Sequence, residues 1–231
     1  MQDLVLIPGL GSDAAVWART IAALGGEVTA MVGDTLKDAA LAGMARRILG
    51  DAPPRFCLAG VSMGGMVAME IMRLAPQRVR GLALVDTKAR PDTEEQAARR
   101  RAINAAVLAA ADLRTLGVSS LDYLVHPTAG EDVRRELIEM TVRVGAQTYV
   151  RQNQAVLARA DLRPILPSIT APTQVIVGEE DRMTPLALSE EIRQAIPGAE
   201  LHVIPACGHL PPIEKPEFMA DRLRALLAQA A

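Results

Sequence analysis

The stretch Gly60-Val61-Ser62-Met63-Gly64 constrains this chain more than any other. An apolar, strand-like run, Phe56-Cys57-Leu58-Ala59, leads into it, and a helical pattern, Val67 to Ala75, leaves it. A serine at such a strand-to-helix turn has the setting of a nucleophile elbow. The backbone there is too tight for side chains at the flanking positions, and Gly60 and Gly64 bring none. Gly65 would let the helix approach the strand closely, with its free N–H groups and positive dipole end aimed at Ser62. The five residues alone also fit an ordinary glycine-rich βα turn, so the chemistry depends on partners elsewhere in the chain.

The segments around the elbow alternate. Leu4-Val5-Leu6-Ile7 reads as a strand buried on both faces, ended by the sharp loop Pro8-Gly9-Leu10-Gly11. A helix from about Ala14 to Leu24, a strand Val28 to Val32 and an amphipathic helix Leu36 to Leu49 come before the elbow strand. Arg80 to Val85 is a further strand, ending at Asp86-Thr87. Alternation with short connections implies a mostly parallel sheet with helices on both faces and sites at the carboxyl ends of the strands.

From Lys88 to about Leu166 no strand-like run appears. Thr93-Glu94-Glu95-Gln96 is a capping box opening a helix to about Ala111. Shorter helices are expected near Ser120 to Val125, Glu131 to Val144 and Gln147 to Ala158, with Gly117, Pro127, Gly130 and Gly145 as breaks. The expected organisation is therefore a core of residues 1–87 and 166–231 and an all-helical cap of residues 88–165. The alternation resumes with strand Thr173 to Val177, the loop Gly178-Glu179-Glu180-Asp181 and a helix opened by Thr184-Pro185. Strand Glu200 to Ile204, a loop from Pro205 to Pro212 and a helix from Pro216 to about Ala228 complete the chain.

Composition narrows the function. At 231 residues the chain can bury one sizeable core, and half of it is apolar with very few aromatics. A net charge of −2 argues against nucleic acid or an anionic membrane as partner, and Arg99-Arg100-Arg101 reads as a solvated helix face. No run approaches the roughly 20 apolar residues of a membrane span, and Met1-Gln2-Asp3 enters a strand without a signal peptide, which points to the cytoplasm. Cys57 and Cys207 lack metal-ligand spacing and read as reduced thiols; no metal or cofactor is called for. The expected partner is a small-molecule substrate, and the oligomeric state is left open, a homodimer included.

An acyl-transfer site needs a nucleophile, a base, an acid to orient the base, and donors for the developing oxyanion. Ser62 is the nucleophile. The base is His209, in the loop after the last strand, since His202 lies inside a strand and His126 in the helical stretch. The acid is Asp181, after the penultimate strand; Glu179 and Glu180 are close in sequence, and Asp86, ending the strand after the elbow, is the rival. The oxyanion donors are the main-chain N–H groups of Met63 and Leu10. A pocket between sheet and cap would be lined by Leu10, Met63 and Leu210, and Arg151, beside Gln152 and Gln154, is the cap residue to test against a substrate carboxylate.

Pro8 to Gly11 followed by Val16-Trp17, Gly60 to Gly65, Gly178 to Asp181 before Thr184-Pro185, and Cys207-Gly208-His209-Leu210 together resemble the α/β-hydrolase superfamily. The similarity is to its compact, cap-bearing esterases, enol-lactonases and carbon-carbon bond hydrolases. That resemblance implies a Ser62–His209–Asp181 triad, oxyanion donors at Leu10 and Met63, and about six core strands, because the chain starts at the oxyanion strand. Where many relatives carry a histidine before the first loop glycine this chain has Pro8, so the loop must be braced differently. Haloalkane dehalogenases and epoxide hydrolases have aspartate at the elbow and dienelactone hydrolases cysteine, so Ser62 implies a serine acyl-enzyme. The leading expectation is hydrolysis of a small or medium carboxylic ester. Lactone opening, carbon-carbon cleavage or perhydrolysis on the same triad, and a slow-turnover ligand receptor, are the alternatives that ester turnover would separate.

Overall fold

The computed structural model describes residues 2–26 and 28–230. Strands β1 (Gln2–Ile7), β2 (Val28–Val32), β3 (Phe56–Val61), β4 (Val79–Val85), β5 (Thr173–Gly178) and β6 (Glu200–Ile204) form one parallel sheet in the order β2-β1-β3-β4-β5-β6. Its central strands are apolar on both faces, as a parallel sheet covered by helices on each side requires. Val5, Ile7, Leu58, Leu82, Leu84 and Val175 enter one core, against α2 (Leu41–Asp51), α3 (Met63–Leu74) and α8 (Leu186–Ala195). Leu4, Leu6, Ala59, Ala83, Val85 and Ile176 enter the other, with residues of α1 (Ala15–Leu24) and α10 (Pro216–Gln229).

The order of the strands fixes where a site can lie. From β1 the chain passes through α1 on one face to the edge strand β2, then through α2 on the other face to β3. The helices that follow β1 and β3 therefore lie on opposite faces, and a crevice opens between the carboxyl ends of these two neighbouring strands. Pro8-Gly9-Leu10-Gly11 and Ser62 are the first residues past those ends.

Between β4 and β5 the described residues contain helices and no strand: α4 (Glu94–Ala109), α5 (Leu113–Leu124), α6 (Glu131–Val144), α7 (Ala146–Leu157) and a 3-10 helix, Arg163–Ser168. The capping box at Thr93 is present: its hydroxyl accepts from the Gln96 N–H, and the Gln96 side chain accepts from the Thr93 N–H. α5 begins well before Ser120, because Asp112 caps it and Gly117, read as a break, sits inside the helix. A Cβ at Gly117 would lie 3.3 Å from the Ile138 backbone, so the glycine serves close packing of α5 on α6. α2 starts at Leu41 rather than Leu36, and the preceding loop presents the Thr35 and Leu36 carbonyls to α7. A short helix, α9 (Pro211–Glu214), stands where a loop was expected to run on to Pro212.

Arg100 corrects the reading of the Arg99–Arg101 run as a solvated face. It is half-buried and donates to Asp92 at 2.7 Å and to Asn153 at 2.7 Å. Buried Lys88 and Arg159 reach the same Asp92 carboxylate, so this network joins the segment after β4 to α4 and α7. No helix is long and apolar enough to cross a membrane among the described residues.

Candidate active site

Ser62 sits between β3 and α3 with φ 56° and ψ −118°, a conformation that side chains rarely adopt. The glycines around it are sterically obligatory: a Cβ at Gly60 would lie 2.2 Å from the Gly64 carbonyl oxygen, and one at Gly64 would lie 2.2 Å from that of Ile7. Gly65 makes room for something other than its own strand, since a Cβ there would meet Thr87 at 2.6 Å. The Thr87 hydroxyl donates to the Ser62 carbonyl at 2.7 Å, while the Ser62 N–H donates to Val85 at 2.9 Å. The end of β4 thus holds the turn.

Ser62 Oγ lies 2.8 Å from His209 Nε2, and His209 Nδ1 lies 2.8 Å from Asp181 Oδ2. An ionised carboxylate only accepts, so the imidazole proton belongs on Nδ1, leaving Nε2 as the acceptor facing the serine hydroxyl. Asp181 Oδ1 accepts from the Met183 and Thr184 N–H groups at 2.7 and 3.0 Å, and Oδ2 from the Thr184 hydroxyl at 2.5 Å. Burial works to raise the Asp181 pKa, but the His209 imidazole and these hydrogen bonds outweigh it and hold the group below the usual carboxylate range.

The rival acids have other work. Glu179 is exposed, and Glu180 accepts from the Cys207 N–H at 2.9 Å. Asp86 is fully buried at φ 41° and accepts from the Gly178 N–H at 2.9 Å. Burial first, then the neighbouring negative charge of Asp181, push the Asp86 pKa well above the carboxylate range. Asp86 Oδ2 is buried with no hydrogen-bond partner among the described residues, and a proton on it would let Asp86 donate to the neighbouring Asp181. Asp86, Asp181 and His209 do offer ligand atoms within 4.8 Å of one another, yet those of Asp181 and His209 are already engaged in internal hydrogen bonds, an arrangement suited to handling a proton rather than caging an ion.

The loop after β1 runs directly over the serine, since a Cβ on Gly9 would lie 3.3 Å from Ser62 Cβ. Leu10, half-buried, follows in that loop, and Met63, the residue after Ser62, opens α3. Leu210 is buried in the apolar cluster with Val125 and Ile213. Arg151, the cap residue to test against a substrate carboxylate, donates to the Leu36 carbonyl and the Thr148 hydroxyl, because the loop before α2 comes up to meet α7. His202 stays on β6 beside Glu200, and His126 lies near Glu180, both away from Ser62.

Over residues 4–222 the sequence matches the Alpha/beta hydrolase family. The chain belongs to that family. Among its relatives, a pimeloyl-[acyl-carrier protein] methyl ester esterase from Vibrio vulnificus is 27% identical over 239 aligned positions, covering 96% of this chain and 92% of the relative. A thermophilic esterase from Thermogutta terrifontis, solved with malate bound, superposes with a TM-score of 0.89 at 26% identity over 100% of this chain and 90% of that one. The enol-lactonase from Burkholderia xenovorans LB400 shares the fold, with a TM-score of 0.84 at 23% identity over 98% and 91% of the two chains.

Several side chains that hold this hydrolase site together escape sequence reading. Glu214 on α9 accepts from the N–H groups of Gly208 and Leu210, both at 3.1 Å, while the His209 N–H donates to Leu124 at 2.9 Å. Three consecutive N–H groups around the imidazole are thereby fixed. Thr184, read as a helix cap, spends its hydroxyl on Asp181, and Pro185 takes the cap position of α8. Gln152 is completely buried and reaches the loop after β1. The only sequence signals were a glutamate a few residues past a loop histidine and a glutamine on a cap helix, and neither spacing is distinctive.

Proposed function

We propose that this hydrolase cleaves carboxylic esters of small or medium apolar acyl groups through an acyl-enzyme on Ser62. The observation that carries the reading is the unbroken chain of two 2.8 Å hydrogen bonds from Ser62 through His209 to buried Asp181. His209 Nε2 takes the serine proton as Oγ attacks the ester carbonyl, and the carbonyl oxygen becomes an oxyanion facing the N–H groups of Leu10 and Met63. Collapse of the tetrahedral species expels the alcohol, which receives the proton from the imidazolium. Water, deprotonated by the same imidazole, then releases the acid and frees Ser62.

The helices of residues 88–165 act as a cap over this site, on a core formed by residues 1–87 and 166–231. In support, α7 binds the loop after β1, and Leu124 at the end of α5 binds the His209 backbone. The esterase names of the Vibrio and Thermogutta relatives favour ester cleavage over the other reactions open to such a site. Cys57 and Cys207, buried and unpaired with thiol pKa values raised by burial, suit a reducing cytoplasmic setting.

The test is a series of nitrophenyl esters of increasing acyl length, assayed on the native protein and on Ser62→Ala. Hydrolysis abolished by the substitution supports the reading, and the best chain length sizes the pocket. Undiminished activity in Ser62→Ala sinks the mechanism. Failure of the folded native protein on every ester shifts weight to carbon-carbon cleavage or to a receptor.

A further inference from the structure

We propose that Gln152, on cap helix α7, is a positioning residue that holds the oxyanion loop in its working shape, so that seating of α7 and assembly of the oxyanion site are one event. This rests on the serine ester hydrolase reading given above.

Residues Gly9 to Ser12 form a turn in which the Ser12 N–H donates to the Gly9 carbonyl at 3.3 Å. Gly11 has φ 71°, the left-handed value that the third position of a type II turn requires. The alternative turn of the same length differs mainly by rotation of the central peptide, the one carrying the Gly11 N–H. That N–H donates to Gln152 Oε1 at 2.9 Å, across 141 residues of sequence. The other end of the Gln152 amide donates to the Thr35 carbonyl at 3.2 Å, with the Thr35 hydroxyl at 3.4 Å, so the glutamine cannot swing away without losing both. The Tyr149 ring lies against Gly11, 3.2 Å from where a Cβ would be.

The loop is therefore clamped from two sides. Below, Gly9 rests on Ser62; above, one face of α7 grips Gly11. The N–H of Leu10 lies between these two fixed points. The grip belongs to a well-anchored helix: Asn153, next to Gln152, donates to Asn104 on α4 at 2.7 Å and accepts from Arg100. Gln152 itself is 0% exposed, so its amide is committed to this contact rather than to solvent. A donor in an oxyanion site is effective only if it is already aimed before charge develops. If α7 lifts, the Gly11 peptide loses its acceptor and the turn is free to change type.

The test replaces Gln152 by Met, which keeps length and packing but offers no hydrogen bond to Gly11, with exposed Gln154→Ala as control. Active sites are counted by fluorophosphonate labelling, so misfolded molecules do not enter the rates. Because loss of one oxyanion donor typically costs about 100- to 1,000-fold in kcat, partial misplacement is expected to cost about 10- to 100-fold, with KM changed less than about threefold. Affinity for an alkyl trifluoromethyl ketone, whose adduct with Ser62 carries an oxyanion, is expected to fall by the same factor as kcat/KM. A folded Gln152→Met with kcat and ketone affinity within about threefold of native, as expected for Gln154→Ala, would overturn the proposal.

If the variant does not fold, hydrogen exchange on the native protein decides. The Gly11 amide should open with the same protection as the amides of α7; free exchange at Gly11 beside a protected α7 refutes the clamp. That measurement is readable even if no ester is ever hydrolysed, which separates failure of the clamp from failure of the ester reading.

Discussion

Two buried carboxyls, Asp181 and Asp86, stand beside His209, and the proposed mechanism gives them different work that paired substitutions should separate. In Asp181→Asn the orientation of the new amide is forced. The Met183 and Thr184 N–H groups both point at the position of Oδ1, so the amide oxygen stays there and the NH2 turns toward His209 Nδ1. A donor at Nδ1 makes that nitrogen an acceptor and moves the imidazole proton to Nε2, where it can no longer take the proton of Ser62. In a serine protease that inversion lowers kcat by about 10⁴, or about 5.5 kcal/mol in barrier, and the same loss is expected here. Asp86→Asn has no such effect. If Asp86 is neutral, asparagine reproduces it: an oxygen for the Gly178 N–H and a donor for Asp181. Its kcat should stay within about threefold of native.

The assay is kcat for a nitrophenyl ester on both variants, normalised to active sites. Loss of about 10⁴ in Asp86→Asn together with mild loss in Asp181→Asn would assign the orienting acid to Asp86 and refute the reasoning. Equilibrium unfolding gives a second reading. The native pKa of Asp86 is raised above its unfolded value near 4, so between the two the native state binds a proton that the unfolded chain has lost, and stability falls as pH rises. The slope is about 1.4 kcal/mol per pH unit for one proton. Asp86→Asn removes that term, so its advantage over the native protein should grow from pH 4 upward. A constant difference would mean Asp86 is ionised in the fold.

Other perturbations follow from the same geometry. Asp92→Asn leaves Lys88, Arg100 and Arg159 without their common anion, and chemical denaturation should show a loss of about 3–5 kcal/mol. Because the Asp92 pKa is held below its unfolded value, that contribution is present above about pH 4 and disappears as pH falls through the native pKa, so native and variant stabilities should converge in acid. Gly64→Ala drives a Cβ into the Ile7 carbonyl, and a loss on the order of 4 kcal/mol or failure to fold is expected; soluble protein with native melting temperature would contradict the elbow geometry. Ser62→Ala should cost about 10⁶-fold in kcat with melting essentially unchanged.

What was legible in the sequence has a common physical origin. The strands carry runs in which alternate residues serve two cores, so Leu4 to Ile7 and Leu82 to Val85 announce a doubly covered parallel sheet. The elbow announces itself because only glycine fits at 60 and 64. His209 and Asp181 were singled out by position, as polar residues past strand ends, and the structure joins both to Ser62 through hydrogen bonds. Helix starts were less legible where tertiary contacts overrule the local pattern. Leu36 to Ala40 has helical composition but is drawn into a loop by its carbonyl contacts with α7, and Gly117 is a packing point rather than a stop. Arg151 could be recognised as a cap cation, but not that a carbonyl 115 residues away would occupy it.

Three of the residues that escaped reading act on backbone. Glu214 holds the N–H groups on either side of His209, Thr87 holds the carbonyl of Ser62, and Gln152 holds the N–H of Gly11. A side chain that recognises main chain can be matched to almost any partner sequence, so no motif at the receiving end reveals it. Yet these contacts set how far the nucleophile, the base and the oxyanion loop can wander. Each reacting group is tied by a residue from a different element: α9, the end of β4 and α7. Acyl transfer gains from groups aimed before charge develops, because reorganisation at the moment of reaction adds to the barrier. Substitutions at these three positions should therefore act on kcat before KM, although none of the three side chains is one of the reacting groups.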